Sequence, residues 1–219
     1  MTRFEVMYFP TSGRAEIARA ILDYADVEYK SIYATQWPAE KGQTPYGQLP
    51  VLKEYESDST EPKFVLSDSD AIQRYLGARY GLYGTSPAEL QTNAQQDEVL
   101  GQWKDVTEIF INYIFFAETE EEKANYLLKL GKAATHLLQK HDERLLRNGT
   151  GHYVGNKTTL ADLFAYLCLK KLATMPNYKD TLEEHVGKGL RKFQATLEQD
   201  PSFKRYQERA VARYATYKY

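Results

Sequence analysis

Three stretches of this chain carry residue types and spacings that could do chemistry. Tyr8 closes an apolar alternation, Phe4, Val6 and Tyr8, directly before the turn Phe9-Pro10-Thr11-Ser12-Gly13 and a helical pattern. A phenol there faces the positive end of a helix dipole and free backbone N–H groups, a setting that favours a nearby anion. Gln48-Leu49-Pro50-Val51-Leu52 puts a proline at the mouth of an apolar strand. A cis bond there would leave the N–H and C=O of Leu49 free to pair with an extended peptide. Ser67-Asp68-Ser69-Asp70-Ala71-Ile72 sets short polar side chains over the first N–H groups of another helix, able to hold a small carboxylate or amine. Each stretch also has a plain structural use: Tyr8 as a core or rim tyrosine, Pro50 as a trans turn residue, Asp68 as an N-cap.

Other chemistries lack their signatures. His136, His141, His152 and His185 are not spaced i, i+4, and with one cysteine and no HExxH or CxxC pairing no metal site is expected. No glycine-rich phosphate loop and no GxSxG elbow occurs. Cys168 rules out an intramolecular disulfide and falls in the apolar segment 160–172, where a buried structural thiol is expected.

The elements that must position these residues divide at a connector. Before it, Phe4–Tyr8, a helix from Arg14 to about Ala25 with Ser12 as N-cap, and Val27–Tyr33 form a βαβ unit. Val51-Leu52 and Phe64–Leu66 then bracket a turn-rich hairpin over Glu54–Pro62, and Ala71, Ile72, Tyr75 and Leu76 continue at helical spacing towards Gly81. Beyond Ser86-Pro87 the strand signal fades, and helical patterns cover about 87–118, 121–147, 159–174 and 188–213. Thr159 and Asp162 form a variant capping box of structural use. The expected fold is α/β plus all-α, with residues 1–81 a small mixed domain, 82–88 a linker and 89–219 a helical bundle.

With 28 Lys+Arg against 30 Asp+Glu in 219 residues, the net charge is 28 − 30 = −2, which speaks against a nucleic-acid partner. No apolar run approaches the roughly 20 residues of a membrane span, and residues 1–6 lack a signal-peptide layout. A cytoplasmic protein is expected. Aromatic residues reach 13%, with 18 Tyr and 9 Phe, which suits amphipathic clefts.

Taken in order, Tyr8-Phe9-x-x-x-Gly13-Arg14-Ala15-Glu16, Trp37-x-x-x-Lys41, Gly47-Gln48-Leu49-Pro50, Asp68-Ser69-x-Ala71-Ile72-x-x-Tyr75-Leu76 and Gly155-Asn156-x-x-Thr159-x-Ala161-Asp162 resemble the cytosolic glutathione transferases, sigma class nearest. Asp97 and Asp105 match acidic positions on that family's first long helix. The resemblance implies a thioredoxin-like domain that binds glutathione as co-substrate, with no tightly bound cofactor, and a helical-bundle domain that takes a small hydrophobic electrophile. It implies that Tyr8 donates to the glutathione sulfur with electrostatic support from Arg14, and that Leu49, before a cis Pro50, pairs with the cysteinyl unit. Trp37, Lys41 and Gln48 would meet the glycyl end. Asp68 and Ser69 would hold the γ-glutamyl group, helped by Asp105 from the second subunit of a homodimer. Thr107, Phe110, Ile111 and Phe115, with Tyr214, Tyr217 and Tyr219, are candidates for the electrophile pocket. A glutathione-dependent prostaglandin-type isomerase and a non-catalytic, crystallin-like relative are the alternatives. The chain departs from the family's usual pattern in having Asp68 for Gln, Gln48 for Lys, Pro10-Thr11-Ser12 in a stretch often carrying Arg, and a longer 54–62 hairpin.

Overall fold

A computed structural model describes residues 2–56, 59–176 and 178–217. Its described residues pack as two compact units, 1–83 with 199–219, and 84–198. In the first unit, β1 (Arg3–Tyr8), β2 (Tyr29–Tyr33), β3 (Val51–Tyr55) and β4 (Phe64–Ser67) form one sheet in the order β2-β1-β3-β4. β1 runs parallel to β2, and β3 is antiparallel to both β1 and β4. The central position of β1 explains why Phe4 and Val6 are fully buried, since its neighbours and covering helices leave them no water. Helices α1 (Glu16–Tyr24) and α2 (Ser69–Arg79) supply that cover and pack on each other. β3 runs on to Tyr55, so Glu54 and Tyr55 belong to the ladder rather than to the expected turn. Ser57 and Asp58 of the expected hairpin lie outside the described residues.

The second unit is helical: α3 (Leu90–Phe115), α4 (Glu120–Asn148), α5 (Leu160–Leu172), the short α6 (Tyr178–Thr181) and most of α7 (Lys188–Gln199). Two carboxylates set helix entrances here. Glu89 accepts from the Ser86 N–H at 3.1 Å and the Ser86 hydroxyl at 2.8 Å. Asp162, fully buried, accepts from the N–H of Tyr153 at 2.8 Å and from the N–H and hydroxyl of Thr159 at 2.8 and 2.6 Å, so the capping box is structural as expected. Cys168 is buried, and burial pushes its thiol up to about 12.

At the C-terminus the packing departs from the sequence division at residue 89. Helix α8 (Pro201–Tyr214) packs on α1 and belongs with the first unit. Charge explains this. Glu16 and Asp23 are buried on α1, and Arg213 reaches both, Nη2 to Glu16 Oε1 at 2.7 Å and Nη1 to Asp23 Oδ2 at 2.8 Å. Buried carboxylates need such partners, because an unpaired charge away from water is costly. Among the described residues no helix is long and apolar enough to cross a membrane, and no cluster of three or more His, Cys, Asp or Glu is placed to hold a metal ion.

Candidate active site

The registers align the three chemistry-bearing stretches. Met7 pairs with Val51, and Val51 with Ser67. Tyr8, Pro50 and Asp68 are each one residue beyond those pairs, so they stand in a row at one end of β1, β3 and β4. Two strand spacings separate the outer members, about 10 Å. An extended chain of three residues spans about 10 Å as well. The row thus has the length of a tripeptide.

Tyr8 is nearly buried, at 9% exposure. Its hydroxyl oxygen accepts the backbone N–H of Arg14 at 3.1 Å. Ser12, the expected N-cap, makes no side-chain capping bond, and the chain enters α1 through a 3-10 turn at Gly13–Ala15. The Tyr8 hydroxyl therefore takes up a helix-entrance N–H that a capping serine would otherwise serve. Because the oxygen accepts there, the phenol proton remains available to an anion outside. The approach depends on Gly13, which has φ +43°. A Cβ on Gly13 would stand 2.7 Å from the Tyr8 hydroxyl oxygen and 2.9 Å from Cζ, and closer still to Cε1. Arg14 thus contributes its main chain, while its side chain is exposed and makes no hydrogen bond or ion pair among the described residues.

The Leu49–Pro50 bond is cis, as is Trp37–Pro38. Leu49 is half-buried beyond the end of the β1–β3 register, and among the described residues its N–H and C=O have no hydrogen bond. Trp37, Phe9 and Leu49 pack together on the buried cluster Met7, Ala34 and Val51. The rings of Phe9 and Trp37 meet edge to face at 5.7 Å, and Lys41 Nζ stands 6.0 Å from the Trp37 ring centroid. Lys41 and Gln48 are exposed.

Asp68 has φ +78°, rare for a residue with a side chain. Its Oδ1 accepts the N–H groups of Asp70 and Ala71 at 3.0 and 2.9 Å, which makes it the N-cap of α2. The capping use foreseen for Asp68 is therefore real, and Oδ2 has no hydrogen bond among the described residues. Ser69, the first residue of α2, likewise keeps a hydroxyl without a bond among them. The row ends in an exposed carboxylate oxygen, a hydroxyl and a helix N-terminus, which suits an amino acid's ammonium and carboxylate together.

The remaining candidates lie on α3, in the second unit. Asp105 is exposed. Thr107 is half-buried and donates to the Lys104 carbonyl at 2.9 Å. Phe110 and Ile111 are half-buried, with Lys171 Nζ 5.2 Å from the Phe110 ring, and Phe115 is 70% exposed. Tyr217 is buried in the first unit against Tyr33, and Tyr219 lies outside the described residues. Sequence reading gave no task to Gly13. Its signal was a glycine between a polar turn and a helix, one step before the N–H that the phenol uses.

Comparison with known proteins finds matches to both parts of the chain. Residues 6–87 match the family model for the glutathione S-transferase N-terminal domain, and residues 104–210 match that for the C-terminal domain. A probable glutathione S-transferase 7 of Caenorhabditis elegans is 32% identical over 217 residues, covering 95% of this chain and 91% of that protein. Human hematopoietic prostaglandin D synthase is 30% identical over 187 residues, covering 84% of this chain and 86% of its own length. Among solved structures, the sigma-class transferase of Fasciola hepatica superposes with a TM-score of 0.77 at 26% identity, covering 97% of both chains.

Proposed function

The chain belongs to the glutathione S-transferase family, and from that premise we propose that Tyr8 holds the sulfur of bound glutathione as a thiolate. It is an enzyme of the transferase type, with glutathione as co-substrate. The observation that carries the role of Tyr8 is the direction of its hydrogen bonding: the oxygen accepts from Arg14 N–H, and the proton is left for the sulfur.

The magnitudes fit. A free thiol has a pKa of about 8.5, and lowering it by two units needs about 2.7 kcal/mol of preference for the anion. A hydrogen bond to a charged acceptor contributes about 1.5–3 kcal/mol, and a helix N-terminus about 0.3–1 kcal/mol. The gain in ionised nucleophile near neutral pH is only about 20-fold, so most acceleration must come from bringing thiolate and electrophile together. In the same proposal Leu49 pairs its backbone with the cysteinyl unit beside Pro50, and Trp37, Lys41 and Gln48 flank the glycyl end. Asp68 and Ser69 take the γ-glutamyl group, and Asp105 of a second copy joins them in a homodimer. Thr107, Phe110, Ile111 and Phe115 receive a hydrophobic electrophile. Glutathione enters and leaves as a substrate rather than as a resident group, and the lone buried thiol suits a cytoplasmic setting.

The test is the ultraviolet thiolate absorbance of bound glutathione against pH, in wild type and Tyr8→Phe. The midpoint should rise by about two units in the variant, towards that of the free thiol, while some turnover persists. An unchanged midpoint removes Tyr8 from this role. The 30% identity to a prostaglandin D synthase favours a second reading, glutathione-dependent isomerisation. Product analysis with an endoperoxide substrate separates the two, since an isomerase returns glutathione unconsumed.

A further inference from the structure

Arg19 lies inside α1 and is 0% exposed. Its Nη1 donates to the Thr11 carbonyl at 2.9 Å and to the Tyr217 hydroxyl oxygen at 2.8 Å, and stands 3.6 Å from Glu16 Oε2. Nε and Nη2 have no hydrogen-bond partner among the described residues. Three of the five N–H groups of this guanidinium are therefore unpaired, and its position is set by the two acceptors that remain. One is in the turn between Tyr8 and α1. The other is in the C-terminal tail.

Tyr217 is itself 7% exposed. Its ring stands edge-on to Tyr33 at 6.1 Å, and the Arg19 guanidinium carbon is 5.9 Å from its centroid. Tyr33 is the partner of Tyr8 in the parallel register, and the next residue, Ala34, donates its N–H to the Tyr8 carbonyl at 3.0 Å. The tail tyrosine thus bears on Tyr8 by two routes: through Tyr33 on its strand neighbour, and through Arg19 and Thr11 on its turn. Thr11 is two residues from Gly13 and three from Arg14, whose N–H meets the Tyr8 hydroxyl.

We propose that Tyr217 and Arg19 are positioning residues for the Tyr8 hydroxyl, the tail phenol fixing the guanidinium that in turn holds the Thr11 carbonyl and the turn against α1. The inference rests on the assignment of Tyr8 to the sulfur. Removing the Tyr217 hydroxyl leaves the cation one acceptor and lets it slide towards Glu16, away from Thr11. The turn then relaxes, and the Arg14 N–H no longer polarises the Tyr8 hydroxyl as well.

The experiment compares the full-length wild type with Tyr217→Phe, Arg19→Lys, Tyr8→Phe and Tyr24→Phe. Tyr24 donates to Asp200 Oδ2 at 2.7 Å near the start of α8, so its variant loosens that helix without touching the Arg19 link. The readouts are the pH midpoint of bound-glutathione thiolate absorbance, kcat/KM with a chromogenic electrophile at pH 6.5, and KM for glutathione. Tyr217→Phe should raise the midpoint and lower kcat/KM by about threefold to tenfold, the scale of one weakened neutral hydrogen bond, that of the Arg14 N–H to the Tyr8 oxygen. KM for glutathione should change less than kcat, and Tyr24→Phe should leave the midpoint in place. A Tyr217→Phe midpoint equal to wild type, with Tyr8→Phe displaced, overturns this inference alone. A midpoint moved equally by Tyr24→Phe also overturns it, because general loosening of α8 would then suffice. An undisplaced Tyr8→Phe midpoint overturns the sulfur assignment, and this inference with it. Should Arg19→Lys fail to fold, Tyr217→Phe decides the matter by itself.

Discussion

Replacing Gly13 with alanine should move the pH at which the enzyme works, without emptying the site. Gly13 has φ +43°, and an added Cβ would stand 2.7 Å from the Tyr8 hydroxyl oxygen. Non-bonded heavy atoms settle at about 3.5 Å, so phenol or turn must retreat by about 0.8 Å at that oxygen and by more at Cε1. That displacement carries the Arg14 N to Tyr8 oxygen distance from 3.1 Å beyond hydrogen-bond reach. The left-handed backbone adds about 1–2 kcal/mol against a residue with a Cβ. A thiol restored fully to its free pKa of about 8.5 is about 1% ionised at pH 6.5, against about half for a midpoint of 6.5. The ceiling on the loss is thus about 50-fold, and partial loss of support gives about tenfold at pH 6.5. At pH 9 both forms are mostly ionised, and the deficit should shrink to about twofold or less. The assay is kcat/KM for a chromogenic electrophile across pH 6 to 9, with circular dichroism to confirm folding. A deficit of equal size at both ends would refute the reasoning, since Gly13 would then act on something other than sulfur ionisation. No deficit would show that the turn yields freely.

Three further expectations concern the helical unit. Asp162→Ala should destabilise the fold by about 3 kcal/mol or more, because it strands the buried donors of Tyr153 and Thr159; chemical denaturation measures this, and a loss under 1 kcal/mol would contradict the box's role. His141 is buried, its Nδ1 2.9 Å from the Tyr153 hydroxyl, and burial, with Arg144 nearby, pushes it down to about 3. The unfolded chain takes up that proton below about pH 6.5 and the folded one does not, so stability should fall by about 1.4 kcal/mol per pH unit between 6.5 and 3. His141→Gln should flatten that slope. Cys168, with its thiol raised to about 12 by burial, should resist alkylation at pH 8 in the native protein and react on unfolding; prompt native labelling would place it elsewhere.

Much of the fold was readable because it follows local periods. Phe4, Val6 and Tyr8 alternate as a strand must, and Ala71, Ile72, Tyr75 and Leu76 keep the helical spacing that α2 shows. The start of α1 read less well. Ser12 has the composition of an N-cap, yet the phenol six residues before Arg14 takes that N–H, a contact that no capping rule anticipates. Helix α6, four residues long, is too short to show a period. The packing of α8 was invisible for a different reason: Arg213 and its partner Glu16 are 197 positions apart, and a charge pair at that separation leaves no pattern in a window of sequence. In the candidate site, Tyr8, Pro50 and Asp68 could be found by type and order. Their alignment emerges only from the strand registers, and the tasks of Gly13 and Arg19 only from three-dimensional contact.

The membership of residues 199–219 in the N-terminal unit bears on how the polypeptide is made. During synthesis Glu16, Arg19 and Asp23 leave the ribosome long before Arg213 and Tyr217, the groups that match them in the finished molecule. Until that later segment is made, Glu16 and Asp23 lack the Arg213 guanidinium, and Glu16 has only Arg19 of its own helix beside it, so that face of α1 stays hydrated. Closing of the first unit therefore waits on the synthesis of α8 and the segment that follows it.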